Sequence, residues 1–141
     1  MATFLYTRHS PKNRAYPEQL NTLKAYAPEA VHLEDKVRGC TPPAERQAFQ
    51  QLLNTVQTGD TVVLWWLTAF GQDFSQALST IQTLLNKGIT LKTVCEPLTF
   101  EPDSVQTQTL LSLLSGYGQV QTQNRLFAAD TVREANKTNP A

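Results

Sequence analysis

Residues Thr61 to Leu67 read Thr-Val-Val-Leu-Trp-Trp-Leu, an apolar run without alternating polar positions. A strand with one face in water alternates apolar and polar residues, whereas a strand covered on both faces does not. The run therefore predicts a central strand with helices packed above and below it. Other segments supply these partners in alternation. Thr3–Arg8 and Ala30–Leu33 read as short strands. Pro17 opens a helix with Leu20, Leu23, Tyr26 and Ala27 at helical spacing, closed by Pro28. Ala44–Gln57 reads as a helix carrying Phe49, Leu52, Leu53 and Val56 on one face. Asp73 is a good N-cap for a helix with Phe74, Leu78, Ile81 and Leu85, which ends at Lys87-Gly88. Ile89–Cys95 alternates as a fourth strand. This order predicts an α/β domain with a mainly parallel sheet of four to five strands.

In open sheets of this kind ligands bind beyond the carboxyl ends of the strands. Attention therefore falls on residues 8–16, 34–43, 68–73 and 96–103, all read as loops. From about Ser104 to Ala135 the chain lacks proline and places Leu110, Leu113, Leu114 and Tyr117 at helical spacing. A helix of that length spans about 45 Å at 1.5 Å per residue, more than a domain of 141 residues can cover. The Leu110–Tyr117 stripe is expected against the sheet, near Trp65 or Trp66. The second half, with Leu126 and Phe127, is expected to meet a partner.

Twelve basic residues balance twelve acidic ones. Phosphate neutralisation supplies most of the affinity of a free-standing nucleic-acid binder, so this chain alone is expected to hold DNA weakly and without sequence preference. No apolar run approaches the length of a membrane span, and the N-terminus does not read as an export signal. Cys40 and Cys95 are then read as free thiols in the cytoplasm. With His9 and His32 as the only histidines and no Cys/His pair at ligand spacing, neither a metal nor another cofactor is expected.

The loops gather Arg8, Ser10, Arg14, Asp35, Lys36, Arg38 and Arg46. A hydroxyl beside several guanidinium groups suits attack on a phosphodiester, which requires in-line positioning and cations for the phosphate oxygens. The planar fork of arginine grips two such oxygens at once. The other reading is that Ser10 caps a turn, Asp35 ends a strand and the arginines are solvated. A Ser-His-Asp arrangement is disfavoured, because His9 and Ser10 are neighbours and point to opposite faces of an extended strand.

Taken together, the motifs resemble the catalytic domain of the serine recombinases, the resolvases and DNA invertases. Tyr6-Thr7-Arg8-His9-Ser10 is similar to the family's Y-A-R-V-S strand, and Gln19 falls where the family has a glutamine on its first helix. Glu34–Gly39 is similar to the D-x-x-S-G loop, Arg46 to the R-x-x-(L/F) arginine, and Gly59–Leu64 to G-D-x-(V/I)-x-V. The resemblance implies a three-layer α/β/α fold over residues 1–141, divided into a 1–103 core and a 104–135 dimerisation helix; in a departure from the family, no C-terminal DNA-binding domain is expected. It implies Ser10 as the nucleophile that forms a phosphoserine link to DNA. Arg8 and Arg46 would hold the phosphate, supported by Gln19, Asp35 and Arg38. A homodimer would form through Tyr117, Leu126 and Phe127.

The departures that bear on the phosphate site follow the third strand. Where the family reads L-D-R-L-G-R-(D/S), this chain reads Leu67-Thr68-Ala69-Phe70-Gly71-Gln72-Asp73. Thr68, Ala69 and Gln72 thus replace a carboxylate and two arginines. Three readings follow. One is a recombinase-fold protein with impaired cleavage that acts by dimerising or by modulating a DNA-associated partner. The second is an active subunit completed by a partner. The third is an unrelated doubly wound binding module.

The dimer expectation is checked by sedimentation. The wild type is expected to sediment as a dimer at tens of micromolar. The Leu126→Asp/Phe127→Asp variant is expected to be a monomer, because each side chain fully buried at the seam contributes roughly 1.5–3 kcal/mol.

Overall fold

The computed structural model describes residues 1–71 and 73–117. Five strands form one sheet: β1 (Thr3–His9), β2 (Val31–Lys36), β3 (Thr61–Leu64), β4 (Thr90–Thr93) and β5 (Leu98–Phe100), in the order β2-β1-β3-β4-β5. β1 pairs in parallel with both β2 and β3, and β3 with β4, while β5 is antiparallel to β4. Consecutive strands lie on opposite sides of β1. The order of connection therefore reverses between β1 and β3, which is where open α/β sheets hold their ligands.

Helices cover both faces. α1 (Tyr16–Tyr26) lies on one face, with Pro17 in its first turn, and buries Leu23 against Leu5 and Val63. α2 (Gln47–Thr55) and α3 (Phe74–Asn86) lie on the other, over Phe4, Tyr6, Val62, Leu64 and Leu91. The alternation of β1 divides its side chains between the two layers: Phe4 and Tyr6 enter the larger core, Leu5 the smaller. Asp73 caps α3 by accepting from the Gln76 N–H at 2.8 Å. Asp60 ties the start of β3 to the N-terminus, accepting from the amides of Ala2 and Gln57 at 2.9 Å each. Those bonds lower its pKa.

Several boundaries differ from those expected. The apolar run of 61–67 is a strand only to Leu64. Leu67–Phe70 then turns into a 3-10 helix that stays buried through Leu67, Ala69 and Phe70. A buried turn carries the same apolar signal as a buried strand, which is why composition alone could not divide them. β2 starts one residue later than expected and runs on to Lys36, so Glu34 and Asp35 lie on a strand rather than in a loop. Pro43–Glu45 is a separate 3-10 turn, and α2 begins only at Gln47. Residues 98–100, expected in a loop, form the short edge strand β5.

Residues 105–117 are helical, here called α4. Its inner face is Thr107, Leu110, Leu111 and Leu114, with Leu111 buried and Leu110 and Leu114 packed on the core that Trp66 also joins. Leu113 and Tyr117, expected against the sheet, are 69 % and 56 % exposed. The stripe is turned by about one position, because the Thr107 hydroxyl points inward to accept the Glu101 amide at 2.9 Å. Leu126 and Phe127 lie outside the described residues.

The junction of α3 and β4 supplies a stability test. Gly88 follows the helix at φ +83°, and a Cβ there would sit 2.6 Å from Thr58 Cγ2. The left-handed conformation alone costs an L-residue roughly 1–2 kcal/mol. Gly88→Ala is expected to lower unfolding stability by about 2 kcal/mol, read as a lower urea midpoint at unchanged slope.

Candidate active site

Arg8 stands near the carboxyl end of β1, opposite Asp35 of β2 in the strand register. Its Nη1 donates to the Val37 carbonyl at 3.5 Å, and its Nε is buried with no hydrogen-bond partner among the described residues. Burial, and then the charge of Arg46, lower the Arg8 pKa. Both effects disfavour the cation, and a bound anion would offset both. Arg8 also lies against Gly39, where a Cβ would come within 3.5 Å of Nη1.

Arg46, at the N-terminus of α2, is fully buried. Nε donates to the Thr41 carbonyl at 3.0 Å and Nη1 to Ala69 at 2.9 Å. Nη2 donates to both Gly39 and Gly71 at 3.1 Å. Four of the five guanidinium N–H groups are thus spent on backbone carbonyls of two loops. Arg46 binds the loop after β2 to the loop after β3. Gly71 is confined there too, since a Cβ would stand 2.7 Å from the Ala77 amide of α3.

Asp35 completes the junction. Its carboxylate accepts from the amides of Ala48 and Phe49 at 3.0 and 2.9 Å, and from the Tyr6 hydroxyl at 2.8 Å. Arg46 as N-cap residue makes no side-chain cap, so Asp35 satisfies the orphan donors of α2 from across the sheet. Burial first, then Asp35, raise the Tyr6 pKa far above that of an ordinary tyrosine. The neighbouring Arg46 pulls the other way and does not prevail.

Ser10 follows β1 and is half-buried. Its carbonyl accepts from Asn13 N at 3.0 Å, closing a turn in which Ser10 Oγ lies 3.4 Å from Lys12 N. A cavity of about 170 Å³ opens beside Arg8, at the gap between the ends of β1 and β3. Gln19 and Tyr16 of α1, Trp65, Trp66, Thr68 and Ala69 are among its walls. The structure therefore brings Arg8, Gln19, Thr68 and Ala69 to one place, with Arg46 and Asp35 beneath it in the loop junction. Thr68 is exposed and Ala69 buried, while Arg38 is exposed, and neither Arg38 nor Ser10 is among the cavity's walls. Gln72 lies outside the described residues. Among the described residues, no group of three or more His, Cys, Asp or Glu could hold a metal ion.

One group of polar residues escaped sequence reasoning. His9, Thr7, Tyr16, His32 and Glu34 gather under α1 next to Ser10. The signal was present as period-two polarity, Thr7 and His9 on β1 and His32 and Glu34 on β2. It becomes visible only once those strands are paired in parallel.

A family model for the resolvase N-terminal domain matches residues 3–139. The chain belongs to the resolvase family. It is 25 % identical over 118 residues to a resolvase from Clostridium perfringens, covering 82 % of this chain and 61 % of that protein. To a DNA-invertase of Escherichia phage P1 it is 28 % identical over 104 residues, covering 74 % and 50 %. A transposon DNA-invertase from Staphylococcus aureus matches at 23 % over 101 residues, covering 72 % and 51 %. The chain thus spans between half and about three fifths of these relatives. Its fold is similar to that of a resolvase family site-specific recombinase from Streptococcus pneumoniae, with a TM-score of 0.65 at 19 % identity over 97 % of this chain and 99 % of that one. In this resolvase-family domain Arg8 stands on the cavity wall, and Arg46 bonds the carbonyl of another wall residue, Ala69.

Removing the Arg46 head group would take this donor from four carbonyls, two in buried and two in part-buried bonds. Arg46→Met is expected to destabilise the domain by roughly 3–5 kcal/mol. Denaturant unfolding checks the value, and amide exchange should show protection lost first in residues 39–41 and 69–71.

Proposed function

We propose that this chain is a DNA-acting resolvase-type domain in which Ser10 is the nucleophile and cleavage is impaired, so that it works chiefly by dimerising and by modulating a DNA-associated partner. The cavity beside Arg8 carries this reading. It sits at the reversal point of the sheet, and its cation has a buried, unpartnered Nε. Its far wall is Thr68 and Ala69, where the family pattern has a carboxylate and an arginine. In the reaction, Ser10 Oγ forms a bond to phosphorus and the bond from phosphorus to one deoxyribose oxygen breaks. The hydroxyl proton of Ser10 ends on the departing sugar oxygen. Arg8 faces the phosphate oxygens, Gln19 orients the group from α1, and Arg46 with Asp35 positions the loops and adds its charge from below. Arg38, exposed beyond the junction, meets the DNA backbone.

Phosphoryl transfer depends on cations around the equatorial oxygens, and each preorganised donor lost typically costs 10²–10³ in rate. Two missing arginines therefore imply a loss of about 10⁴–10⁶, extended from that figure. A chain of zero net charge has little electrostatic grip of its own on DNA, which is why the dimer or a partner must supply it. The exposed Leu113 and Tyr117 of α4 give the seam of the dimer a start that Leu126 and Phe127 continue. An active subunit completed by a partner's cations is the second reading, favoured by the same unpartnered Nε of Arg8. The exposed cysteines Cys40 and Cys95 suit the cytoplasm.

The test is covalent trapping on supercoiled DNA. Wild type is expected to form a Ser10–DNA adduct slowly or not at all, and Ser10→Ala none. Thr68→Asp/Ala69→Arg/Gln72→Arg is expected to trap adduct at least a hundredfold faster than wild type. Adduct formation by wild type as fast as by the triple variant would overturn the impairment, and adduct formed by Ser10→Ala would overturn the nucleophile.

A further inference from the structure

The polar group under α1 centres on His9. The His9 ring stacks on Tyr16 with centroids 3.5 Å apart and planes 10° from parallel. His9 Nε2 lies 2.7 Å from Glu34 Oε1. Tyr16 is near enough to Glu34 to lower its pKa. The Tyr16 hydroxyl lies 3.0 Å from Thr7 Oγ1, which in turn lies 2.8 Å from His32 Nε2. An ionised carboxylate only accepts, so His9 Nε2–H donates to Glu34.

We propose that His9 is a positioning residue for Ser10: its bond to Glu34 and its stack on Tyr16 fasten the end of β1 to β2 and α1, and hold the nucleophile's turn while Glu34 is charged. The proposal rests on the reading of Ser10 as nucleophile. His9 immediately precedes Ser10 and is 8 % exposed. The same fastening fixes α1, which carries Gln19 to the cavity. The family pattern has valine at this position, which can neither donate to Glu34 nor stack as an imidazole does. His9 and Glu34 thus add a constraint beside the nucleophile that the pattern lacks.

The charges facing the group set its pH response. Glu34 stands on β2, with Lys36 of the same strand in register with His9, and Lys24 of α1 acts on His32. Tyr16 first, then His9, hold the Glu34 carboxyl below the usual range. Burial lowers the His32 imidazole and raises Tyr16 to about 12. Both Glu34 and His32 thus bind protons less readily folded than unfolded. Stability therefore falls with pH in two windows, first below the ordinary histidine value of about 6.5 and then below the ordinary glutamate value of about 4.3. The fastening is complete at neutral pH and weakens on acidification.

Nuclear magnetic resonance on the full chain tests this, using the Asn13 amide that bonds the Ser10 carbonyl. In wild type, the amides of residues 10–13 should shift together with the Glu34 side chain as pH falls from about 6 to below about 3, through the range beneath the ordinary glutamate value. In His9→Val and in Glu34→Gln that shared titration should vanish, and Asn13 exchange at neutral pH should quicken about tenfold, with the Val62 and Leu91 amides unchanged. Residues 10–13 titrating and exchanging as in wild type in both variants would overturn the proposal. So would loss of protection at Val62 and Leu91 in both, since the group would then be holding the fold and not the turn. Where wild type or its triple variant forms adduct, His9→Val should also flatten the acid side of the pH–rate profile. No adduct from either sinks the nucleophile reading and leaves the Asn13 measurements to judge His9.

Discussion

A single guanidinium, buried where β1, β2 and β3 end, holds the working edge of this domain together. Taking a cation out of water is costly unless each donor finds an acceptor. Arg46 meets that condition with four backbone carbonyls drawn from two loops. Charge-assisted bonds of this kind are stronger than neutral ones, and they make the positions of residues 39–41 and 69–71 depend on each other. A lysine could reach only some of these acceptors, because its donors radiate from one atom and not from a planar fork. Asp35 serves the amide ends of α2 and the Tyr6 hydroxyl, so the charge of Arg46 is left for Arg8 to feel.

β1 divides the consequences between two layers. Tyr6 and Arg8 face the α2 side and join the Asp35 and Arg46 junction. Thr7 and His9 face α1 and join Tyr16, His32 and Glu34. Ser10 follows both sets at the point where the strand stops pairing. It thus lies just past a cationic junction on one side of the sheet and the bonded pair of His9 and Glu34 on the other.

Membership of the resolvase family and the departures at Thr68 and Ala69 bear on different levels of the molecule. The α/β/α frame depends on the core, the caps and the tight approach at Gly71, and these are in place. The proposed chemistry depends on side chains aimed at one phosphate, and Thr68 and Ala69 stand where the family pattern has a carboxylate and an arginine. A fold persists through such changes because its stability is spread over many contacts, whereas a site depends on a few.

Much of the frame was legible from residue pattern alone. The apolar run at Thr61–Leu64, the capping Asp73, the closing Gly88 and the helical spacing of Phe49 and Leu52 are local signals, governed by periodicity and backbone geometry over a few residues. The nearness of Arg8, Gln19, Thr68 and Ala69 was legible in outline too, because parallel strands send their carboxyl ends to one edge. What only the tertiary structure decided was how each polar group is used. That Arg46 is spent on carbonyls, that Asp35 caps a helix thirteen residues on, that Leu111 and not Leu113 faces the core, and that His9 meets Glu34 all depend on which strands lie side by side. Hydrogen bonding and burial are settled by neighbours in space, and a sequence lists neighbours only along the chain.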